Sequence, residues 1–181
     1  MISSNEPPLF PAGEFTAPGP YDVETKSEFV KQLKNAPATI RAAIAGLDEG
    51  QLDTKYKNWS IRQIVHHLAD SHMNAYIRFK WALTEESPLI KSYNETAWSE
   101  VVDARTLPLE PSLTLLDGLH SRWASLVESL DADSMESSFY HPESGADVLL
   151  SESLPAYVWH TKHHVAQIVW IREQNEWNSL Q

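Results

Sequence analysis

The chain lacks cysteine entirely, although it has 181 residues. This absence excludes disulfide bonds, thiolate metal ligands and a cysteine nucleophile. Any bound metal must therefore be held by histidine, aspartate, glutamate or backbone oxygen, and any thiol chemistry would have to come from a substrate. Eight histidines stand against no cysteine, so imidazole is the side chain to examine first.

Basic residues are also scarce, with 14 Lys and Arg against 25 Asp and Glu, for a net charge of −11 with histidines neutral. Nucleic acid and anionic membrane surfaces both require a basic surface, so neither is expected as a partner. No apolar run approaches the ~20 residues of a transmembrane helix. Residues 1–10, MISSNEPPLF, lack the basic and apolar regions of a signal peptide. We therefore expect a cytoplasmic protein with a small-molecule substrate.

The length predicts one domain, residues 1–181. Five of the eleven prolines lie in residues 1–22, which predicts an extended arm followed by a helical bundle over residues 23–181. Large apolar side chains spaced along the arm favour its docking on the bundle. They are Leu9, Phe10, Phe15 and Tyr21.

Apolar residues at spacings of three and four predict four helices. The first covers about 25–47, where Pro37 either kinks the helix or begins a second one. The second begins at Ser60, which forms a capping box with Gln63, and ends near residue 83. The third covers about 112–130. The fourth begins at Ser151 or Ser153, with Pro155 in its first turn.

Residues 84–111 form a long crossover loop, and residues 134–150 suggest a small β-hairpin around PESGAD. The predicted fold class is therefore all-α: a four-helix bundle with an extended N-terminal arm, long crossover loops and a small β-hairpin.

A histidine pair marks the fourth helix. His160 and His164 are four residues apart, so their side chains share one face with Cβ atoms about 5–6 Å apart, and both rings can reach one ion. The same geometry lets HExxH motifs bind zinc, although the glutamate base of that motif is missing here. His163 is the rival partner of His160.

The second helix offers a third histidine. His67 shares a face with Ser71, Asn74 and Arg78, a polar stripe on an otherwise apolar helix. Such a stripe is costly to bury unless it serves a site. The alternative is that this face is turned to water. His66 and His72 are competing ligands.

Three neutral imidazoles leave a bound ion with its full +2 charge and with open coordination positions, as in catalytic sites. The donor set suits one divalent ion per chain, with Zn or Ni favoured and Fe or Mn also compatible. Asp70 and Gln167 are candidates for orienting the rings. Substrate-binding candidates are Asn74, Tyr157 and Arg78; the guanidinium would hold a carboxylate or phosphate unless it forms an internal ion pair.

The motifs WSIRQIVHHLADSHMNAYIRFKWALTEESP, YNETAWSE, LHSRWASL, FYHPESG and YVWHTKHHVAQI, together with PAGEFTAP in the arm, resemble the YfiT branch of the DinB-like proteins over nearly the whole chain. The resemblance implies a four-helix bundle in an up-up-down-down-like order, a homodimer, and one metal held by His67, His160 and His164. Loop departures include KNW at residues 57–59 and Lys91-Ser92-Tyr93-Asn94.

The resemblance also implies a metal-dependent hydrolase, or a thiol-S-transferase whose metal holds a low-molecular-weight thiol such as bacillithiol. In one case bound hydroxide is the nucleophile, and in the other a bound thiolate attacks an electrophile. Hydrolysis normally needs a general base near the metal, and neither histidine motif supplies a glutamate, which favours transfer. The alternatives are a non-catalytic metal or small-molecule binding protein and a bundle with incidental histidines.

Overall fold

The computed structural model describes residues 6–18 and 22–177, in which eight helices and four short strands form. The helices are α1 (Val23–Ile44), α2 (Glu49–Leu52), α3 (Ile61–Ala82), α4 (Glu95–Ser99), α5 (Val102–Thr106), α6 (Glu110–Ser129), α7 (Ala132–Met135) and α8 (Leu150–Gln174). The strands are β1 (Lys55–Tyr56), β2 (Trp59–Ser60), β3 (Ser138–His141) and β4 (Ala146–Leu149). No helix in these ranges is both long and apolar enough to cross a membrane.

The four long helices form the bundle, and each packs mainly against two others. Helices α1 and α3 follow one another in the chain, yet both pack against α6 and α8. Helix α1 therefore lies diagonally opposite α3, and α6 lies diagonally opposite α8. The predicted four-helix bundle is confirmed, with long connections that cross its ends.

Two apolar clusters fill the bundle and reveal the direction of each helix. The N-terminal halves of α1 and α8 contribute to the cluster around Phe79 and Trp123, and their C-terminal halves to the cluster around Ile64 and Leu116. Helices α3 and α6 contribute in the reverse order. The order along the chain is therefore up-down-down-up, and the up-up-down-down order expected from the resemblance is wrong.

Helix α1 passes through Pro37 without ending, and it stops at Ile44, three residues before the predicted end. A proline inside a helix removes one N–H, which leaves the carbonyl four residues earlier without its helical partner. Here that carbonyl is Leu33 O, and it lies 2.8 Å from His120 Nδ1 on α6. A side chain from another helix thus replaces the missing hydrogen bond.

Helix α3 begins with the predicted capping box. Ser60 Oγ accepts from the Gln63 N–H at 3.2 Å, and Gln63 Oε1 accepts from the Ser60 N–H at 2.9 Å. The first half of α3 is buried almost all round, including His66 and His67. Its polar stripe therefore faces the interior and not water.

The connections contain more structure than the sequence indicated. The 84–111 crossover holds the short helices α4 and α5, and a two-residue hairpin, β1–β2, precedes α3. The predicted hairpin is present as β3–β4, which pairs Ser138 with Leu149. Helix α8 begins at Leu150, so Pro155 is its sixth residue; the prediction of Pro155 in the first turn is wrong. The helix starts early because Glu152 caps it by accepting from the Leu149 N–H.

The arm lies against α8 as expected. The Phe10 and Phe15 rings lie 6.1 and 5.9 Å from the Trp159 ring, and Trp159 Nε1 donates to Gly13 O at 3.0 Å. Leu9 is mostly exposed. Tyr21 lies outside the described residues.

Candidate metal centre

A layer of histidines separates the two apolar clusters. On α3, α6 and α8, His72, His120, His160 and His164 occupy the positions between the residues that enter one cluster and those that enter the other, and His67 lies about one turn before His72 on α3. The residues of this layer are His67, His72, His120, His160 and His164. The bundle therefore concentrates imidazoles where its core would otherwise be continuous.

Three of these rings turn their Nε2 atoms toward one point. His160 Nε2 lies 3.2 Å from His67 Nε2 and 3.1 Å from His164 Nε2, and one nitrogen from each ring lies within 4.8 Å of the others. Two nitrogens bound to one tetrahedral zinc ion at about 2.05 Å would lie about 3.3 Å apart. The spacing of His67, His160 and His164, which we call the histidine trio, therefore fits a divalent ion.

The hydrogen bond made by the other ring nitrogen of His164 agrees with that fit. His164 Nδ1 lies 2.8 Å from Gln167 Oε1, an acceptor, so Nδ1 carries the proton and Nε2 has its lone pair free. The Nε2 atom of the same Gln167 side chain donates to His163 Nε2 at 2.9 Å. The His164 lone pair thus faces the centre of the trio, where a cation satisfies it.

Burial keeps the three rings neutral. It lowers the pKa of His67 to about 4. It also lowers the pKa of His160 and of His164 well below 6.5, and for these two rings the neighbouring imidazoles add to the effect. A neutral imidazole is the form that binds a metal. The site is therefore in the ligating state at neutral pH.

The rival histidines lie elsewhere. His66 points to the α5–α6 junction, with Nδ1 2.8 Å from Ser112 Oγ and Nε2 3.3 Å from Leu107 O. His163 stacks on Trp159 at 4.9 Å between ring centroids, beside the arm. His72 lies behind His160, with 3.4 Å between His72 Nε2 and His160 Nδ1.

Of the two residues predicted to orient the rings, the structure places only Gln167 against one. In the described part of the chain the carboxylate of Asp70 has no hydrogen-bond partner. Burial, with the charge of Asp103 adding to it, raises the pKa of Asp70 to about 6. Because the half-buried carboxylate of Asp70 contacts no histidine ring in the described ranges, the structure gives no support to the orienting role that we predicted for it.

A cavity of about 400 Å³ opens beside His160. Arg78 and Tyr157 both line it, and Arg78 Nη1 donates to Tyr157 Oη at 3.0 Å. Phe15 and Trp159 form the side covered by the arm. A substrate in this cavity would contact the outer side of the trio.

Asn74, the third substrate-binding candidate, does not line this cavity. Its amide donates to Asp70 O at 2.9 Å, and its side chain borders a separate cavity of about 460 Å³ between α3 and the 84–111 crossover.

Sequence reasoning missed two residues of the centre. The Trp59 ring lies 4.5 Å from the His67 ring and is stacked on His164 at 6.1 Å, so it covers the trio. His120 joins the layer from α6, with Nε2 2.8 Å from His72 Nδ1. A tryptophan just before a capping box and a lone histidine on an apolar helix carry no local signal of a site.

Comparisons with known proteins agree with this architecture. Residues 32–168 match the model of the DinB superfamily. A protein of Bacillus licheniformis named "Putative metal-dependent hydrolase" is 47% identical over 171 residues, which cover 93% of this chain and 97% of that protein. A protein of the same name from Geobacillus thermodenitrificans is 44% identical, covering 97% of this chain and all of that protein.

Among solved structures, YfiT from Bacillus subtilis is similar over 93% of this chain and 98% of its own, with a TM-score of 0.90 and 41% identity. It is described as "a probable metal-dependent hydrolase with an unusual four-helix bundle topology".

Proposed function

The chain belongs to the DinB superfamily, and on this premise we propose that it is a metal-dependent enzyme whose ion is held by His67, His160 and His164. The observation that carries the proposal is the convergence of three neutral Nε2 atoms beside an open cavity. Zinc and nickel suit the donor set best, and iron or manganese is compatible with it. When bound there, the ion supplies Lewis-acid chemistry that lowers the pKa of a bound thiol or water.

The protein's own residues would position the reactants. Trp59 closes one side of the trio, so a nucleophile enters from the side of the cavity at His160. Arg78 and Tyr157 line that cavity, and we propose that they contact the substrate. Asn74 borders a different cavity, and nothing in its contacts supports a direct role.

We favour thiol transfer over hydrolysis as the reaction. In the described ranges no carboxylate lies in contact with the trio, so a water nucleophile would lack an adjacent base. The acidic residues of the cavity, Glu95 and Glu152, are exposed at its edge, and Glu152 already accepts from Leu149 N–H. A small thiol can lose its proton on metal binding, and the thiolate then attacks an electrophile without a base.

Two measurements test the metal site and the reaction. We expect about one zinc or nickel ion per chain in the wild-type protein by elemental analysis, and none in His67→Ala, His160→Ala or His164→Ala. His66→Ala is the matched control, because it removes a buried histidine of the same helix whose nitrogens face Ser112 and Leu107. Metal retained in the trio variants would refute the ligand set.

The metal-loaded protein is then assayed with small thiols and 1-chloro-2,4-dinitrobenzene, and separately with p-nitrophenyl esters. Conjugation of the thiol that needs the metal supports transfer, whereas ester cleavage without thiol supports hydrolysis. Stoichiometric metal with no turnover in either panel would favour the non-catalytic binding protein. The homodimer implied by the resemblance stays a prediction, which sedimentation equilibrium tests directly.

A further inference from the structure

Arg78 is a buried cation without a carboxylate partner. Its exposed fraction is 8%, and its one hydrogen bond among the described residues runs to Tyr157 Oη. No Asp or Glu oxygen of residues 6–18 and 22–177 lies within 4.0 Å of the guanidinium. Burying a charge without compensation is costly, so such a group is normally paired.

A second arginine of the same helix shows what pairing looks like here. Arg62, with an exposed fraction of 3%, has Glu49 at 2.6 Å and Asp53 at 2.8 Å. The fold therefore supplies carboxylates where it buries an arginine for structure alone. The absence of a carboxylate beside Arg78 indicates that its anionic partner belongs to a bound ligand and not to the protein.

The position of Arg78 relates this missing anion to the metal centre. Arg78 lines the same cavity as His160 and also borders the neighbouring cavity beside Asn74, and the Tyr157 ring whose hydroxyl it contacts lies 6.1 Å from the His160 ring. The carboxylates at the edge, Glu95 and Glu152, are exposed and do not reach it. A small molecule bound at the trio thus extends toward an unneutralised positive charge.

We propose that Arg78, supported by Tyr157, is an anion subsite that recognises a carboxylate or phosphate on the small molecule whose other end lies at the three histidines. This inference rests on the proposed function, because it takes the metal-binding end of the substrate from it. Arginine suits both anions, since its planar fork donates two parallel hydrogen bonds.

The test uses zinc-loaded protein and isothermal titration calorimetry. The probes are ω-mercaptocarboxylates of two to six carbons and the mercaptoalcohols of equal length, so that each pair differs only in the anion. We expect at least one mercaptocarboxylate to bind about 10-fold more tightly than its alcohol, as a hydrogen-bonded charge contributes. Arg78→Gln should bring the two within about twofold, and Arg78→Lys should restore part of the preference.

Arg122→Gln is the matched control, because Arg122 is exposed and contacts Tyr76 outside the cavity. Inorganic phosphate and butyrate as competitors distinguish the two anions. Equal binding of acids and alcohols at every length, or a preference that survives Arg78→Gln, would overturn the subsite. Butyrate binding to zinc-free protein is measured as well, so that failure of the metal site is distinguishable from failure of the subsite.

Three buried histidines form a hydrogen-bonded chain that leads from the trio to the backbone of α1. His160 Nδ1 lies 3.4 Å from His72 Nε2, His72 Nδ1 lies 2.8 Å from His120 Nε2, and His120 Nδ1 lies 2.8 Å from Leu33 O.

Leu33 O, the last acceptor, sets the donor-to-acceptor direction of all three hydrogen bonds. A carbonyl only accepts, so His120 Nδ1 carries a proton and its Nε2 accepts from His72 Nδ1. His72 Nε2 then accepts from His160 Nδ1, which leaves the lone pair of His160 Nε2 directed at the trio. Leu33 O is available because Pro37, four residues later, has no N–H to donate to it.

We infer that His72 and His120 are positioning residues that fix the tautomer of His160, and that Pro37 anchors their direction. Mutation of a residue that hydrogen-bonds a metal-binding imidazole in this way typically lowers metal affinity by about 10- to 100-fold.

Nitrogen NMR of the metal-free protein reads the tautomer without any metal or activity. We expect His160 with its proton on Nδ1 in the wild type. His120→Met, close in volume but unable to donate, should give mixed tautomers at His160 and about 10-fold weaker zinc binding. His120→Gln should restore both, because its amide can donate to Leu33 O and accept from His72.

Pro37→Ala is an independent variant that leaves all histidines in place, because it supplies an N–H that competes for Leu33 O. It too should mix the His160 tautomers, whereas His66→Gln should not. An unchanged His160 tautomer with unchanged zinc affinity in both His120→Met and Pro37→Ala would overturn the inference.

Discussion

Zinc should stabilise the folded protein through the trio. His67 is on α3 and is 93 residues from His160, so all three nitrogens meet only in the folded chain. Ligand binding to the folded state alone adds RT ln(1 + [L]/Kd), which is about 2.7 kcal/mol at free zinc 100 times Kd. With about 2.1 cal/mol/K of unfolding entropy per residue over 181 residues, the melting temperature should rise by about 7 °C.

Differential scanning calorimetry of the metal-free protein, with buffered zinc and then with excess chelator, measures this rise. His67→Ala leaves only the local pair on α8, so most of the shift should disappear, whereas His66→Ala should keep it in full. No shift in the wild type, or a full shift in a variant with all three histidines replaced, would refute the convergence of the trio as the cause.

Three further predictions follow from other contacts. Because burial raises the pKa of Asp70 to about 6 from 3.8, its ionised form costs stability above that pH. Asp70→Asn should therefore be more stable than wild type at pH 8, by on the order of 1 kcal/mol in urea denaturation, with no difference at pH 3.5; loss of zinc from this variant would instead support an orienting role. Burial lowers the pKa of His120 to about 4, so the stability it supports is complete above pH 6.5 and is lost as the pH falls toward 4. His120→Gln should reduce the dependence of unfolding free energy on pH between 6 and 4.5 by about 1 kcal/mol per pH unit, and an unchanged slope would contradict the burial. Trp159→Ala should speed amide hydrogen exchange in residues 6–18 while leaving α3 protected, and equal exchange would show that Trp159 does not hold the arm.

The sequence alone determined the features that depend on neighbouring residues. The Ser60–Gln63 capping box, the i,i+4 pair His160 and His164, and the arm rich in proline were all readable, because each is set by the chemistry of a few consecutive positions. Helical periodicity likewise located the four long helices. It misplaced the start of α8, since the preceding hairpin runs straight into it.

The tertiary structure decided which of these features meet. Periodicity gives the face of a helix on which a side chain lies, but not the helix that the face contacts. It left His66, His67 and His72 as rivals, and only the packing of α3 against α8 turns His67 Nε2 toward His160. His120 entered the centre because a proline on another helix leaves a carbonyl free, a coincidence across 87 residues that no local pattern encodes. The up-down-down-up order could not be predicted from the sequence either, because the direction of a helix in a bundle is fixed by contacts between distant segments and not by the helix's own sequence.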